Sequence, residues 1–187
     1  MILLFSGGQD STLLALRYAY QIRILLHVRY DHPAAQQEGR ACRDIYNYIR
    51  ENRSEAVEYV ALSVPISAAA MRIGPRIEGP RYVPCRNAVM LSIAANIAHT
   101  RGIHTIMYGA NRDDYADYDD CRGDYMDVLS ELLGIRIYAP LLETSKREIV
   151  EDLSGYSTGV TDLVWSCYEP IGGARCGACN SCTLAAP

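Results

Sequence analysis

The stretch Ile2-Leu3-Leu4-Phe5-Ser6-Gly7-Gly8-Gln9-Asp10-Ser11-Thr12-Leu13-Leu14 decides the reading of the fold. Ile2–Phe5 is a continuous apolar run stopped by a Ser-Gly-Gly turn, the pattern of a buried strand. Leu13, Leu14, Leu16 and Ala19 then recur at helical spacing. A strand that passes through a glycine turn into a helix opens a β-α-β unit. The glycines leave backbone N–H groups unobstructed, and the helix start adds unsatisfied donors and a positive dipole end. Such a loop suits a phosphate. The Ser6 and Ser11 hydroxyls are placed to donate to the same anion, and Asp10 either caps the helix or helps hold Mg²⁺. The loop has neither the Gly-Lys-Ser/Thr of the P-loop nor the Gly-x-Gly-x-x-Gly of dinucleotide binders.

Working outward, Arg23–Tyr30 reads as a second strand and Ala34–Arg50 as a helix with Ala35, Cys42, Ile45, Tyr46 and Ile49 inward. Strands follow at Val57–Val64, Ile103–Gly109 and Ile135–Tyr138, with helices at Arg86–His99 and Tyr125–Leu133. Ser145 and Glu148 form a capping box that opens a helix running to Leu153. The alternation predicts an α/β fold with a doubly wound, mostly parallel five-stranded sheet. Right-handed crossovers gather the strand-to-helix loops at the carboxyl edge of the sheet, where ligands bind. Residues 65–85, rich in Pro, Gly and Arg, break the pattern and are expected as a mobile surface loop.

Composition narrows the class. The chain has 187 residues, 49% hydrophobic and 21% charged, a globular balance. Its net charge of −4 leaves no basic footprint for a nucleic acid. No apolar run is long enough to span a membrane, and Ile2–Phe5 is too short for a signal peptide. A cytoplasmic protein is expected. Seventeen of the 18 basic residues are arginine, and Lys146 is the one lysine, which invites a role for it.

Of the seven cysteines, Cys167, Cys176, Cys179 and Cys182 crowd the C-terminal end. Four thiolates with tight Cys-x₂-Cys turns suit tetrahedral zinc, and a closed Cys₄ shell would make that metal structural. An iron–sulfur cluster uses similar spacing, and two disulfides are the remaining option. Residues 1–160 are then expected to form the α/β domain, with 161–187 as a metal-binding segment packed on it.

Ser6–Ser11, SGGQDS, matches the SGGxDS signature of the PP-loop (N-type) ATP pyrophosphatases, which split ATP into AMP and pyrophosphate while adenylating a substrate. Further motifs follow in order: Tyr82-Val83-Pro84-Cys85-Arg86-Asn87, Gly109-Ala110-Asn111 with Asp114-Tyr115, Tyr118-x-Asp120-Cys121-Arg122, and Trp165-Ser166-Cys167-Tyr168 before the cysteine run. Together they resemble the 7-cyano-7-deazaguanine synthases. The chain departs from that family with Cys85 where glycine is usual and Tyr30-Asp31-His32 where Tyr-Gly-Gln is usual. It is also shorter around residues 50–80.

The resemblance implies an adenine nucleotide α-hydrolase-like fold, ATP with Mg²⁺, and structural zinc. It assigns Ser6, Gly7, Gly8, Gln9, Asp10, Ser11, Tyr30, Arg86, Asn87, Gly109 and Asn111 to the nucleotide. Asp10, Ser11, Lys146 and Arg122 would carry catalysis, with Lys146 reaching phosphate from the start of its helix.

Asp113, Asp114, Asp117, Asp119 and Asp120 follow the fourth strand and are either a solvated acidic loop or ligands for Mg²⁺ or a guanine-like edge. Among them Asp114 and Asp120, with Tyr115 stacking and Arg122 meeting a carboxylate, are the expected substrate contacts. Cys85 and Cys121 read as small packing residues, and the four histidines as structural.

The expected reaction joins ammonia to 7-carboxy-7-deazaguanine at the expense of ATP, in a homodimer. Rival readings are a relative that stops at the amide or uses another acceptor, a tRNA-thiolating enzyme, and an ATP-binding sensor without turnover.

Overall fold

In the computed structural model, residues 1–54, 56–67, 83–156 and 158–184 are described. Five strands form one sheet: β1 (Ile2–Leu4), β2 (Ile24–Asp31), β3 (Glu58–Ser67), β4 (Thr105–Met107) and β5 (Arg136–Tyr138). Their order is β3-β2-β1-β4-β5, and every pairing is parallel rather than mostly so. The chain builds outward from β1 to β3, then returns to start again on the other side of β1 at β4. That reversal makes the β1–β4 boundary the switch point, where a crevice opens at the carboxyl edge.

Period-two alternation in the strands sorts the core into two layers. Leu3, Phe5 and Leu25 face one side, where α1 (Gln9–Arg17), α2 (Ala35–Asn52) and α6 (Lys146–Ser154) cover them. Ile2, Leu4, Ile24, Leu26 and Val28 face the other, under α3 (Arg86–Thr100) and α5 (Gly123–Leu133). Leu3, Leu13, Leu14 and Leu25 are fully buried, so the strand and helix that flank the phosphate loop are rooted in the core.

The elements differ from expectation mainly at their ends. β3 runs on to Ser67 through Pro65, which it tolerates because it is an edge strand. β4 is shorter than Ile103–Gly109, because Gly109 and Asn111 leave the ladder to approach α1. Four short elements were not anticipated: α4 (Arg112–Asp117), a 3₁₀ turn at Asp119–Cys121, α7 (Thr158–Thr161) and α8 (Asn180–Leu184). Of the expected 65–85 loop, residues 68–82 lie outside the described set. The Ser145–Glu148 capping box is present. No helix among the described residues is long and apolar enough to cross a membrane.

Candidate active site

The loop after β1 folds on itself through its own polar atoms. The Ser6 N–H donates to Ser11 Oγ at 3.3 Å, the Gly8 N–H to Ser6 Oγ at 3.3 Å, and Ser11 Oγ to the Gly8 carbonyl at 3.3 Å. Gly7 has φ +71° and is pressed against α2, so a Cβ there would meet Ala41 Cβ and Cys42 N at 3.0 Å. Glycine is required on both counts. Behind the loop, burial holds His27 below its ordinary pKa, and its ring Nδ1 lies 3.0 Å from the Phe5 carbonyl. The neutral ring donates there, fixing the residue at which the loop begins.

Asp10 does not cap α1. Gly8 holds the N-cap position, without a side-chain bond. One Asp10 oxygen instead accepts from Lys146 Nζ, and the other accepts from Asn111 Nδ2 at 3.2 Å. The same Asn111 amide donates to Asp114 Oδ2 at 2.7 Å, while Asn111 Oδ1 caps α4. Asn111 thus ties together two carboxylates from different elements. Gly109 lies against the same turn, where a Cβ on it would stand in ordinary contact with Asp10 Cβ at 3.4 Å.

Electrostatics follow from the crowding. Burial and the neighbouring Asp10 carboxylate push Asp114 up to about 6, against the pull of Lys146. Burial opposes the charge on Lys146, but Asp10 outweighs it and raises the ammonium above its ordinary value. Lys146 is also fixed through its backbone, whose N–H donates to Asp113 Oδ2 at 2.7 Å. Asp113 was expected only as one of an acidic run, and its job is to seat α6.

A second polar group gathers across the sheet edge. Arg86, from the start of α3, donates through Nη1 to the Tyr30 hydroxyl at 3.1 Å at the end of β2. Asp120 is buried beside it and is raised by that burial, with Arg86 and Asn87 pulling the other way. Asn87 Nδ2 also donates to the Cys121 thiol at 3.6 Å, so Cys121 is a packing residue. Cys85 is not: it is exposed and caps α3 with φ +59°, the left-handed region that suits glycine. His32 stacks on Tyr30 at 4.3 Å between ring centres and pairs with Glu38 at 3.4 Å.

Some candidates stand apart from these groups. Arg122 pairs with Asp119 at 3.1 Å on the surface and holds the N-cap position of α5. The side chains of Tyr115 and Asp117 lie outside the described set.

The sulfurs of Cys167, Cys176, Cys179 and Cys182 all lie within 4.8 Å of one another. A tetrahedral ion with metal–sulfur bonds of about 2.3 Å needs sulfurs roughly 3.8 Å apart, so the four fit a single ion. A four-iron cube spreads its thiolates over separate irons and would need them further apart. Backbone N–H groups of Ala178 and Cys179 pull the Cys176 thiol down to about 6, toward the thiolate a metal requires. This segment reaches the phosphate loop directly: the Trp165 N–H donates to the Gly7 carbonyl at 2.9 Å. Nothing in the sequence pattern pointed to that contact beyond Trp165 being the one tryptophan.

Comparison with known proteins shows the family. The family model described as Queuosine biosynthesis protein QueC matches residues 1–186. Proteins named 7-cyano-7-deazaguanine synthase are similar over 98% of the chain: 31% identical in Campylobacter curvus, covering 89% of that protein, and 33% in Microcystis aeruginosa, covering 87%. Among solved structures, a predicted subunit of tRNA methyltransferase from Methanocaldococcus jannaschii aligns with TM-score 0.53 and 16% identity, over 82% of this chain and 73% of that one. The U34-tRNA thiolase NcsA from Methanococcus maripaludis, with its [4Fe-4S] cluster, aligns with TM-score 0.53 and 14% identity, over 98% and 63%. At such identities the structures share the fold alone.

Proposed function

The chain belongs to the QueC family of queuosine biosynthesis proteins, and on that premise we propose that it converts 7-carboxy-7-deazaguanine and ammonia to 7-cyano-7-deazaguanine with ATP. One observation carries the reading. The SGGQDS loop sits at the switch point with Asp10, Asn111, Asp114 and Lys146 gathered beside it. That is a phosphate-binding turn flanked by a cation and by carboxylates that suit Mg²⁺.

A carboxylate is a poor acyl donor because it is anionic and its oxygen leaves badly. Attack by the carboxylate on the ATP α-phosphorus forms an acyl-adenylate and releases pyrophosphate. The Gly7-Gly8 turn, the first-turn donors of Gln9 and Asp10, and the Ser6 and Ser11 hydroxyls receive the departing phosphates. Lys146, released from Asp10, would reach the phosphates, and Asp10 would be the residue to hold Mg²⁺, which would neutralise phosphate charge. Ammonia then displaces AMP to give the amide. A second ATP activates the amide oxygen, and loss of AMP leaves the nitrile. No side chain acts as a nucleophile, so catalysis is positioning and charge stabilisation. Arg86, Asn87, Tyr30, Gly109 and Asn111 shape the nucleotide pocket, and Asp114, Asp120, Tyr115 and Arg122 are assigned to the deazaguanine.

The four cysteines would hold zinc, which as a closed shell supplies structure and not chemistry. Residues 161–187 are read as its segment, packed on the 1–160 domain. A cytoplasmic homodimer completes the proposal, and the exposed Val128 and Leu132 on α5 support an association surface.

Incubation with ATP, Mg²⁺, ammonia and 7-carboxy-7-deazaguanine, followed by product mass, tests the reaction. The nitrile is expected. Accumulated amide would overturn the second half, and unconsumed ATP would overturn turnover altogether.

A further inference from the structure

The contact between the cysteine segment and the phosphate loop has its own support. Gly7 is clamped, with Ala41 and Cys42 of α2 on one side and its carbonyl held by the Trp165 N–H on the other. The strand of chain that supplies this N–H, residues 164–167, ends at the ligand Cys167 and has only Val164 and Cys167 buried. One side chain bonds to three successive residues of it. Arg175 lies over the Trp165 ring, 5.2 Å from its centre, and donates through Nη2 to the Val164 carbonyl and through Nη1 to Ser166 Oγ at 3.4 Å. The Trp165 indole in turn donates to the Cys167 carbonyl at 2.9 Å. Arg175 immediately precedes the ligand Cys176, after a tight turn closed by paired bonds between Ile171 and Ala174.

We infer that Arg175 is a positioning residue for the phosphate loop, coupling occupancy of the four-cysteine centre to nucleotide binding. A metal joining Cys167 to Cys176 fixes both ends of the Arg175–Trp165 contact, and the Trp165 N–H then fixes the orientation of the Gly7 peptide. Without the metal the hairpin bearing Arg175 is untethered, and the loop loses its outer wall. Linkage makes the effect reciprocal in free energy: a ligand that needs the ordered loop must tighten binding of the metal, and slower release to a chelator is the expected sign of that tightening. The inference rests on the reading of the loop as an ATP site.

The metal-loaded protein supplies two readouts besides turnover. Release of the metal to a chromogenic chelator is timed with and without ATP, and ATP affinity is read from emission of the single tryptophan, Trp165. In the wild type ATP should slow metal release about tenfold, within the usual range of coupling between sites. In Arg175→Met, still carrying one metal per chain, ATP should bind about tenfold more weakly and no longer slow release. Arg175→Lys should behave like Arg175→Met, because a single ammonium cannot span the Val164 carbonyl, Ser166 and the Trp165 ring together. Retention of wild-type affinity in Arg175→Lys would show a charge effect and overturn positioning. ATP binding to the wild type with unchanged metal release would overturn the coupling even if the variants fail to fold. Failure of ATP to bind the wild type would overturn the ATP-site reading and this inference with it.

Discussion

The two regions that meet at Gly7 keep their shapes by different forces. The phosphate loop hangs between β1 and α1, whose Leu3, Leu13 and Leu14 are fully buried in a core that spans four helices, α1, α2, α6 and α7. The cysteine segment has almost no apolar core: Cys167, Cys179 and Cys182 are the residues that form its buried cluster, and Ile171 stands exposed. On the proposed reading one wall of the site folds by hydrophobic burial and the other by metal coordination. Loss of metal and loss of core packing should act on different halves of the same pocket.

Removing the metal should have the largest effect, since structural zinc contributes roughly 10–16 kcal/mol in small metal-folded units. A strong chelator, or Cys176→Ser, should unfold the segment locally and shift Trp165 emission to the red. Far-ultraviolet circular dichroism should retain the sheet signal. A single cooperative loss of both signals would break the comparison, because it would mean that the α/β core depends on the metal too.

Asp10→Asn sharpens it from the other side. The Asp10–Lys146 pair is partly exposed and outside the core, so the variant should fold and keep its metal. Pyrophosphate release should drop by about 10²–10³, the usual cost of losing one charge-stabilising group in a site. Near-normal release would remove Asp10 from the machinery.

Asp114 gives a smaller effect with a distinctive pH dependence. Its folded pKa of about 6 lies above the ordinary carboxylate value, so the folded state holds the proton more tightly than the unfolded one. Stability therefore falls as pH rises from about 4 to 6 and levels off above. A shift of roughly two units corresponds to something on the order of 3 kcal/mol. Asp114→Asn keeps an acceptor for the Asn111 amide and should raise the melting temperature at pH 7.5 while flattening that slope. A lower melting temperature at pH 7.5 would contradict the burial argument. Arg122→Ala should change stability least, by under ~1 kcal/mol, because its pair with Asp119 is a surface one. It should still raise KM for the carboxylate substrate, measured at saturating ATP.

Legibility followed the range of the interactions. The β1–loop–α1 unit and the Ser145–Glu148 cap are local patterns, and both appear where the residues placed them. The second capping box, Asn111 to Asp114, is equally local, but it lies within an acidic run whose carboxylates read as well as ligands. The pairing of Asp10 with Lys146 joins positions 136 apart, and no local rule distinguishes that from a helix cap. The Trp165–Gly7 bond is made by a backbone N–H, so residue type says nothing about it. The size of Cys85 suggests packing, whereas it is exposed at the start of α3 with a left-handed backbone that residue type does not announce.

On the proposed reading one site adenylates two oxygens in turn on the same carbon, first of the acid and then of the amide, and oxygen labelling tests this most directly. With both carboxylate oxygens of 7-carboxy-7-deazaguanine carrying ¹⁸O, the first should leave on AMP when ammonia attacks and the second on AMP when the nitrile forms. Mass analysis should find two singly labelled AMP molecules for every nitrile. Label recovered in water or inorganic phosphate, or an unlabelled AMP beside the product, would contradict the account.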